Sequence, residues 1–96
     1  MSVKVIVEFA TKPGKRDDLL ELCEGMAAAG PPMPGSLGYA FFRSADDPDL
    51  LVEIADWESS DARAAVFEQL EASGGLKPLQ ELLAAPLRTT MLETED

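Results

Sequence analysis

Residues 2–10 alternate strictly between two sets of side chains, and this alternation constrains the fold more than any other feature of the sequence. The first set is apolar throughout: Val3, Val5, Val7 and Phe9. The second set is mixed: Lys4, Ile6 and Glu8. Such alternation is typical of a β-strand, because successive side chains point to opposite faces of a sheet. The same pattern predicts three further strands, at residues 36–43, 50–57 and 86–93.

Helical periodicity separates these strands. The segment 15–29 places apolar residues at helical spacing and is followed by Gly30, Pro31 and Pro32, which stop a helix. Its interior Gly25 suggests a close packing contact. A second helix begins at the capping residue Ser59 or Ser60 and ends at 73–75, and a short extra helix is expected within 76–85.

The order strand, helix, strand, strand, helix, strand predicts an α+β fold. It is the ferredoxin-like βαββαβ arrangement, a four-stranded antiparallel sheet with helices on one face. Because 96 residues suffice for one domain and not for two, we expect a single domain over residues 1–96. The stiff loop 30–35 precedes the second strand, and residues 94–96 are expected to form a disordered acidic tail.

Apolar side chains occur on both faces of the predicted strands. Ile6 opposes the valine row, and Phe42 opposes Tyr39 and Phe41. The helices cover only one face of such a sheet, so the other face needs a cover. We therefore expect a homodimer formed sheet to sheet around a two-fold axis. The sequence leaves open which face of the strand 36–43 meets the partner.

Composition excludes several classes of function. The 18 acidic and 8 basic residues give a net charge of -10, which disfavours nucleic acid and anionic membranes as partners. No apolar run reaches the length of about 20 residues that a membrane span needs, and we expect a cytoplasmic protein. Histidine is absent, which excludes histidine-based triads and histidine metal ligands. The single Cys23 precludes an internal disulfide and is expected to be a buried thiol.

Two segments, "KPGKRDDL" at 12–19 and "PGSLGYAFFRSADDPDLLVEIADWESSDA" at 34–62, resemble the antibiotic biosynthesis monooxygenase family. The resemblance runs from about Val3 to Leu92 and is most specific at "DWESSDA". It implies a dimeric α/β barrel. The family includes cofactor-free oxygenases of quinol and polyketide substrates, as well as haem-degrading enzymes.

The haem-degrading members carry an asparagine on the first strand, a tryptophan at the end of the third strand and an iron-ligating histidine nine residues later. At these positions the chain has Val7, Trp57 and Val66. Because valine does not ligate iron, the resemblance argues against haem degradation. We expect no cofactor and no metal ion.

The resemblance places a pocket for a small aromatic molecule between the sheet and the helices. The side chains expected to bind the substrate there are Val7, Phe9, Phe41, Val66 and Phe67. The candidate catalytic residues are Trp57, Tyr39 and Arg43, whose N–H and O–H groups can stabilise a phenolate-like anion. Arg88 is a further donor. Each also has a structural alternative: Trp57 and Tyr39 as packing residues, and the two arginines in salt bridges.

Two acidic features have competing interpretations. Glu53 lies mid-strand among apolar residues and is either a general base with a pKa raised by burial or, as we favour, an ion-pair partner of Arg43 or Arg88. The turn 46–49, "DDPD", lacks the spacing of a calcium loop and is expected to be an ordinary solvated turn.

Two hypotheses about function follow. The first is a homodimeric, cofactor-independent monooxygenase that acts on a quinol-like or polyketide aromatic substrate. The second is a non-catalytic small-molecule-binding or stress-associated dimer of the same fold, which the absence of histidine favours.

Overall fold

The structure, a computed structural model, describes residues 2–29 and 33–93. Its elements in chain order are β1 (Val3–Ala10), α1 (Arg16–Ala29), β2 (Ser36–Arg43), β3 (Leu50–Trp57), α2 (Ser60–Ala72), α3 (Lys77–Glu81) and β4 (Arg88–Glu93). Residues 30–32 of the predicted stiff loop and the predicted tail at 94–96 lie outside the described residues.

The four strands form one open antiparallel sheet in the order β2-β3-β1-β4. β1 is central: Ile6 lies opposite Ile54 of β3 and Thr90 of β4. On β3, Glu53 lies between Val7 of β1 and Phe41 of β2. The predicted ferredoxin-like α+β fold is therefore confirmed.

One face of the sheet packs on the helices, and we call it the inner face. It carries the apolar row of β1 and the alternate residues of β3, and together with one side of α1 and α3 it forms the core. The buried core residues are Val3, Val5, Val7, Phe9, Leu19, Cys23, Leu51, Ala55, Trp57 and Leu79. The alternation seen in the sequence is thus what buries β1 along one side.

The opposite face, which we call the outer face, has an apolar centre. Its side chains include Ile6, Ala40, Phe42, Val52, Ile54 and Leu92, as the strand register requires. Phe42 and Leu92 are 52% and 44% exposed. Two ion pairs flank this centre, Lys4 with Asp56 at 2.7 Å and Arg88 with Glu8 at 3.6 Å.

The start of α2 is fixed by its cap. The Ser59 hydroxyl accepts a hydrogen bond from the Ala62 amide at 3.1 Å, as the sequence predicts for one of the two serines. Gly35 packs against this turn with a φ of 87°, and a Cβ there would lie 2.6 Å from the Ala62 Cβ. The Glu58 amide donates to the Gly35 carbonyl at 2.8 Å. These contacts hold the segment that leads into β2 against α2.

The acidic turn is held by hydrogen bonds within the fold. The Arg16 guanidinium donates to the carbonyls of Ser44 and Asp47 at 3.0 and 2.9 Å. The Asp49 carboxylate accepts from the Gly14 amide at 3.1 Å. In the described part of the chain, no three His, Cys, Asp or Glu side chains gather in a way that would hold a metal ion.

Two further observations concern the helices. The close contact expected at Gly25 is wrong, because a side chain at that position would meet no atom within 4 Å. Among the described residues, no helix combines the length and the apolar character that crossing a membrane requires.

Candidate functional site

A cavity of about 360 Å³ lies between the inner face and the helices. Its volume falls within the range of pockets that hold small organic molecules. Every element except β4 contributes to the wall, which is largely apolar. From the sheet these residues are Val7, Phe9, Tyr39, Phe41 and Glu53.

The incomplete packing of α2 explains why space remains at this place. None of the residues Ser60–Ala72, all of which the structure describes, is buried. A helix that packs tightly on a sheet buries an apolar stripe, whereas α2 is rich in alanine and presents Val66, Phe67 and Leu70 only partly buried. The helix therefore covers the inner face without filling it.

The residues predicted from the resemblance to bind substrate all lie in the cavity wall. They are Val7, Phe9, Phe41, Val66 and Phe67, and Tyr39 joins them. The rings of Tyr39 and Phe41 meet edge to face with centroids 5.7 Å apart. Tyr39 is 46% exposed, so it stands where the cavity opens to solvent. Whether these residues bind a substrate stays a prediction.

Trp57 is not among the residues that line the cavity, although it faces the same side of the sheet. It is 4% exposed and lies opposite Val3, in the core. Trp57 lies four positions after Glu53 on β3, a distance of about 13 Å along an extended chain. The indole is therefore located at one end of the sheet and the cavity toward the other.

Arg43 is also absent from the cavity wall. Its guanidinium pairs with the Asp17 carboxylate of α1 at 2.9 Å, and both side chains are more than half exposed. Arg88 pairs with Glu8 on the outer face. The two arginines therefore act in surface ion pairs, which was the alternative that the sequence left open for them.

Glu53 has an environment that the sequence did not predict. Its expected pairing with Arg43 or Arg88 is wrong, because those arginines have Asp17 and Glu8 as partners. Among the described residues that line the cavity, Glu53 is the only one with a charged side chain. Burial raises the pKa of the Glu53 carboxyl above its ordinary value, and the positive charge of Arg63 partly offsets this effect.

Arg63 is the functional candidate that the sequence analysis missed. Its guanidinium carbon lies 4.1 Å from the centre of the Phe67 ring, a cation–π contact on α2. Burial lowers the pKa of Arg63, and the charge of Glu53 opposes this shift. Side chains four residues apart on a helix are neighbours, so the spacing of Arg63 and Phe67 was the sequence signal that could have predicted this contact.

Cys23 is buried and free, as predicted. Its thiol lines the cavity, where burial raises its pKa to about 12 and the charges of Glu53 and Glu24 contribute further. Cys23 is therefore protonated at neutral pH and is a poor nucleophile.

Comparison with known proteins identifies the family. A family model described as antibiotic biosynthesis monooxygenase matches residues 2–73. The chain belongs to this family. The matched residues run from β1 to α2. They include most of the residues that line the cavity in this antibiotic biosynthesis monooxygenase family member. A search of curated proteins finds no match.

Several solved structures are similar to this family member. Rv0793 from Mycobacterium tuberculosis is 26% identical with a TM-score of 0.79, and the match covers 100% of this chain and 97% of that one. A monooxygenase from the gene ActVA-Orf6 of Streptomyces coelicolor, in complex with the ligand Nanaomycin D, is 25% identical with a TM-score of 0.81 and coverage of 99% and 88%. SnoaB, a cofactor-independent oxygenase from Streptomyces nogalater, is 19% identical with a TM-score of 0.78 and coverage of 99% and 94%.

Proposed function

We propose that this protein is a cofactor-independent monooxygenase that oxidises a quinol-like or polyketide aromatic substrate with O2. The observation that carries the proposal is the cavity of about 360 Å³, apolar and partly aromatic, in a member of the antibiotic biosynthesis monooxygenase family. Two similar structures support the class of reaction, since one is a cofactor-independent oxygenase and the other is a monooxygenase that binds Nanaomycin D.

The chemistry suits a cavity of this kind. An electron-rich aromatic substrate can pass an electron to O2 itself once it has lost a proton. The protein then has to hold the ring, exclude water and stabilise the anion. The rings of Phe9, Phe41 and Phe67 provide an apolar surface, and the Tyr39 hydroxyl is a donor at the opening. The proposal does not use Arg43, whose guanidinium is paired with Asp17.

We also propose that the outer face is the interface of a homodimer. Its apolar side chains include the exposed Phe42 and Leu92 on the two edge strands, and two ion pairs lie on the same face. An apolar face rimmed by charged pairs fits a second copy of the same face, because a two-fold contact matches each patch with itself. The assembly would be the dimeric α/β barrel that the sequence resemblance implies.

One observation favours a second candidate, a non-catalytic binding protein of the same fold. The wall contains the apolar Val66 at the position where the resemblance implies a histidine in haem-degrading members, and Trp57 lies outside the wall. Such a dimer would bind a flat aromatic molecule without turning it over.

Oxygen uptake separates the two candidates. The purified protein is incubated with menadiol or anthrone in the presence of superoxide dismutase and catalase, and 18O2 is followed into the product by mass spectrometry. Enzymatic oxygenation gives uptake well above buffer and label in the product. Uptake equal to buffer, together with binding of the non-oxidisable menadione in isothermal titration calorimetry, would favour the binding protein.

A further inference from the structure

We propose that Glu53 is the proton acceptor of the cavity, and that its carboxylate takes the proton of the hydroxyl group of a bound aromatic molecule. This inference rests on the proposed function for the oxidation step.

The position of Glu53 supports this role. The residue lies on the inner face between Val7 and Phe41 in the strand register, and all three line the cavity. This carboxylate is the only charged group among the described residues of the wall, and a flat ring bound against Phe41 and Phe67 would lie in the same cavity. The apolar surface binds the ring, and the carboxylate attracts the hydroxyl.

The carboxylate is also free to accept a proton. Within the described residues it makes no hydrogen bond and no ion pair, in contrast to Asp17 and Glu8. In the same part of the chain, every fully buried side-chain oxygen has a hydrogen-bond partner. The oxygens of Glu53 have none there, so they are accessible to solvent or to a ligand. Since a carboxylate in an apolar wall gains a strong hydrogen bond from a hydroxyl donor, a neutral phenol satisfies it.

Burial and one charged neighbour set the basicity of Glu53. Arg63 on α2 favours the ionised form, while burial in the apolar wall favours the protonated form. Cys23 on α1 is a protonated thiol, and Tyr39 is the titratable side chain that β2 contributes to the wall. A carboxylate whose pKa is raised by burial is more basic than an exposed one, which suits a general base.

The proton and electron balance of the step is complete with O2 as the oxidant. The substrate O–H bond breaks, its proton forms the carboxylic acid of Glu53, and the electron pair stays on the aryl oxide. The aryl oxide passes one electron to O2, and the resulting radical and superoxide combine to form a C–O bond. The peroxide anion then takes the proton back from Glu53. Loss of water from a ring position that carries hydrogen gives the carbonyl product.

Glu53→Gln tests the proposal, with Glu68→Gln, an exposed position on α2, as the control for the loss of one charge. We expect Glu53→Gln to lower kcat for menadiol or anthrone by about 100-fold or more, the usual contribution of a general base. The rate of the wild type and of Glu68→Gln should rise with pH as the Glu53 carboxyl ionises, and this rise should vanish in Glu53→Gln. A Glu53→Gln enzyme with the wild-type rate and pH profile would overturn the proposal.

A binding measurement addresses the acceptor role without turnover. The probe is 4-nitrophenol, whose ionised form absorbs visible light. Wild type should bind the neutral form about tenfold more tightly than the anion, because Glu53 accepts from the hydroxyl and repels the phenolate, and Glu53→Gln should lose this preference. Equal preference in the two proteins would overturn the acceptor role. A wild type that shows the preference but no oxygen uptake would refute the proposed oxygenase while supporting Glu53 as the acceptor.

Discussion

The inner and outer faces of the sheet start from the same alternating strands and have different properties. The inner face is covered by helices and retains a cavity with one carboxylate in its wall. The outer face has an apolar centre whose charged residues are paired at its margins. Charges on the outer face neutralise each other, whereas Glu53 on the inner face has no ion-pair partner within the described residues.

This difference separates a surface suited to a macromolecular partner from a surface suited to a small ligand. Matched pairs tend to neutralise a face that another protein covers, since an unpaired charge at a buried interface is costly. An unpaired carboxylate beside a cavity can accept a hydrogen bond from a ligand that enters the cavity. The comparison can be tested by substitutions that affect one face at a time.

The largest effect on stability should come from Leu51 of β3, which we compare with its neighbour Val52 on the opposite face of the sheet. Leu51 is fully buried in the inner core, and Leu51→Ala should lower the free energy of unfolding by about 3 kcal/mol through loss of contacts and the cavity it creates. Val52→Ala on the outer face should cost clearly less in a dilute sample, and its cost should grow with protein concentration if a second copy covers it. Denaturant unfolding at two concentrations measures both. Equal and concentration-independent costs would contradict the distinction between the faces.

The next effect concerns assembly. Phe42→Glu places a charge on the apolar part of the outer face, at the edge strand β2. It should raise the dimer dissociation constant by about 100-fold or more, because a buried unpaired charge costs several kcal/mol. Tyr39→Glu, on the inner face, should leave the dimer intact. Sedimentation equilibrium measures both constants. A stable Phe42→Glu dimer would rule out the outer face as the interface.

Filling the cavity should block ligands while the protein stays folded. Val66→Trp adds bulk to the wall and should weaken the binding of menadione at least about tenfold, with a change in unfolding free energy near 1 kcal/mol. Ala64→Trp, an exposed position on the same helix, is the control and should bind as wild type does. Isothermal titration calorimetry measures the affinities. Unchanged binding in Val66→Trp would place the ligand site elsewhere.

The pH dependence of stability should report the buried carboxylate. Because its pKa is raised in the folded state, folding takes up a proton between the unfolded and the folded pKa. The free energy of unfolding should therefore fall as pH rises through this window, by less than the cost of Leu51→Ala. Glu53→Gln should remove this part of the slope, whereas Glu68→Gln should retain it. Urea unfolding across the acidic to neutral range provides the measurement.

The smallest effect should come from Arg43. Its ion pair with Asp17 is largely exposed, so Arg43→Ala should cost less than about 1 kcal/mol of stability and leave oxygen uptake unchanged. Thermal unfolding and the oxygen assay suffice. A large loss of turnover in a stable Arg43→Ala protein would restore Arg43 to the catalytic residues predicted from the sequence.

The fold was predictable because its signals are local. The predicted bounds of β2 and β3 agree with the structure, and β1 and α1 each begin one residue later than predicted and end where predicted, since strict alternation and helix stop signals identify these elements. β4 begins at Arg88, two residues later than predicted, because Pro86 and Leu87 precede the pairing with Glu8. The position of the β1 valines on the inner face was likewise predictable from the alternation of apolar and mixed residues alone.

The site was only partly predictable, because its decisive features depend on tertiary distances. The resemblance placed Trp57 beside the substrate, but it does not say how far along the strand the helices leave space, and Trp57 lies on the inner face outside the cavity wall. Glu53 lacks the predicted arginine partners because Arg43 faces the start of α1 and Arg88 lies on the outer face. Neither fact is encoded within a short window of sequence.

The partial burial of α2 has a consequence for how the ligand preference of such a protein can evolve. The helix forms one wall of the cavity with side chains that are at most partly buried, whereas the buried core residues lie on β1, β3, α1 and α3. Substitutions along Val66, Phe67 and Leu70 can reshape that wall with little penalty to the scaffold. The part of the cavity wall that α2 supplies is thus separate from the buried core, so new ligand preferences are reachable through a few changes on a single helix.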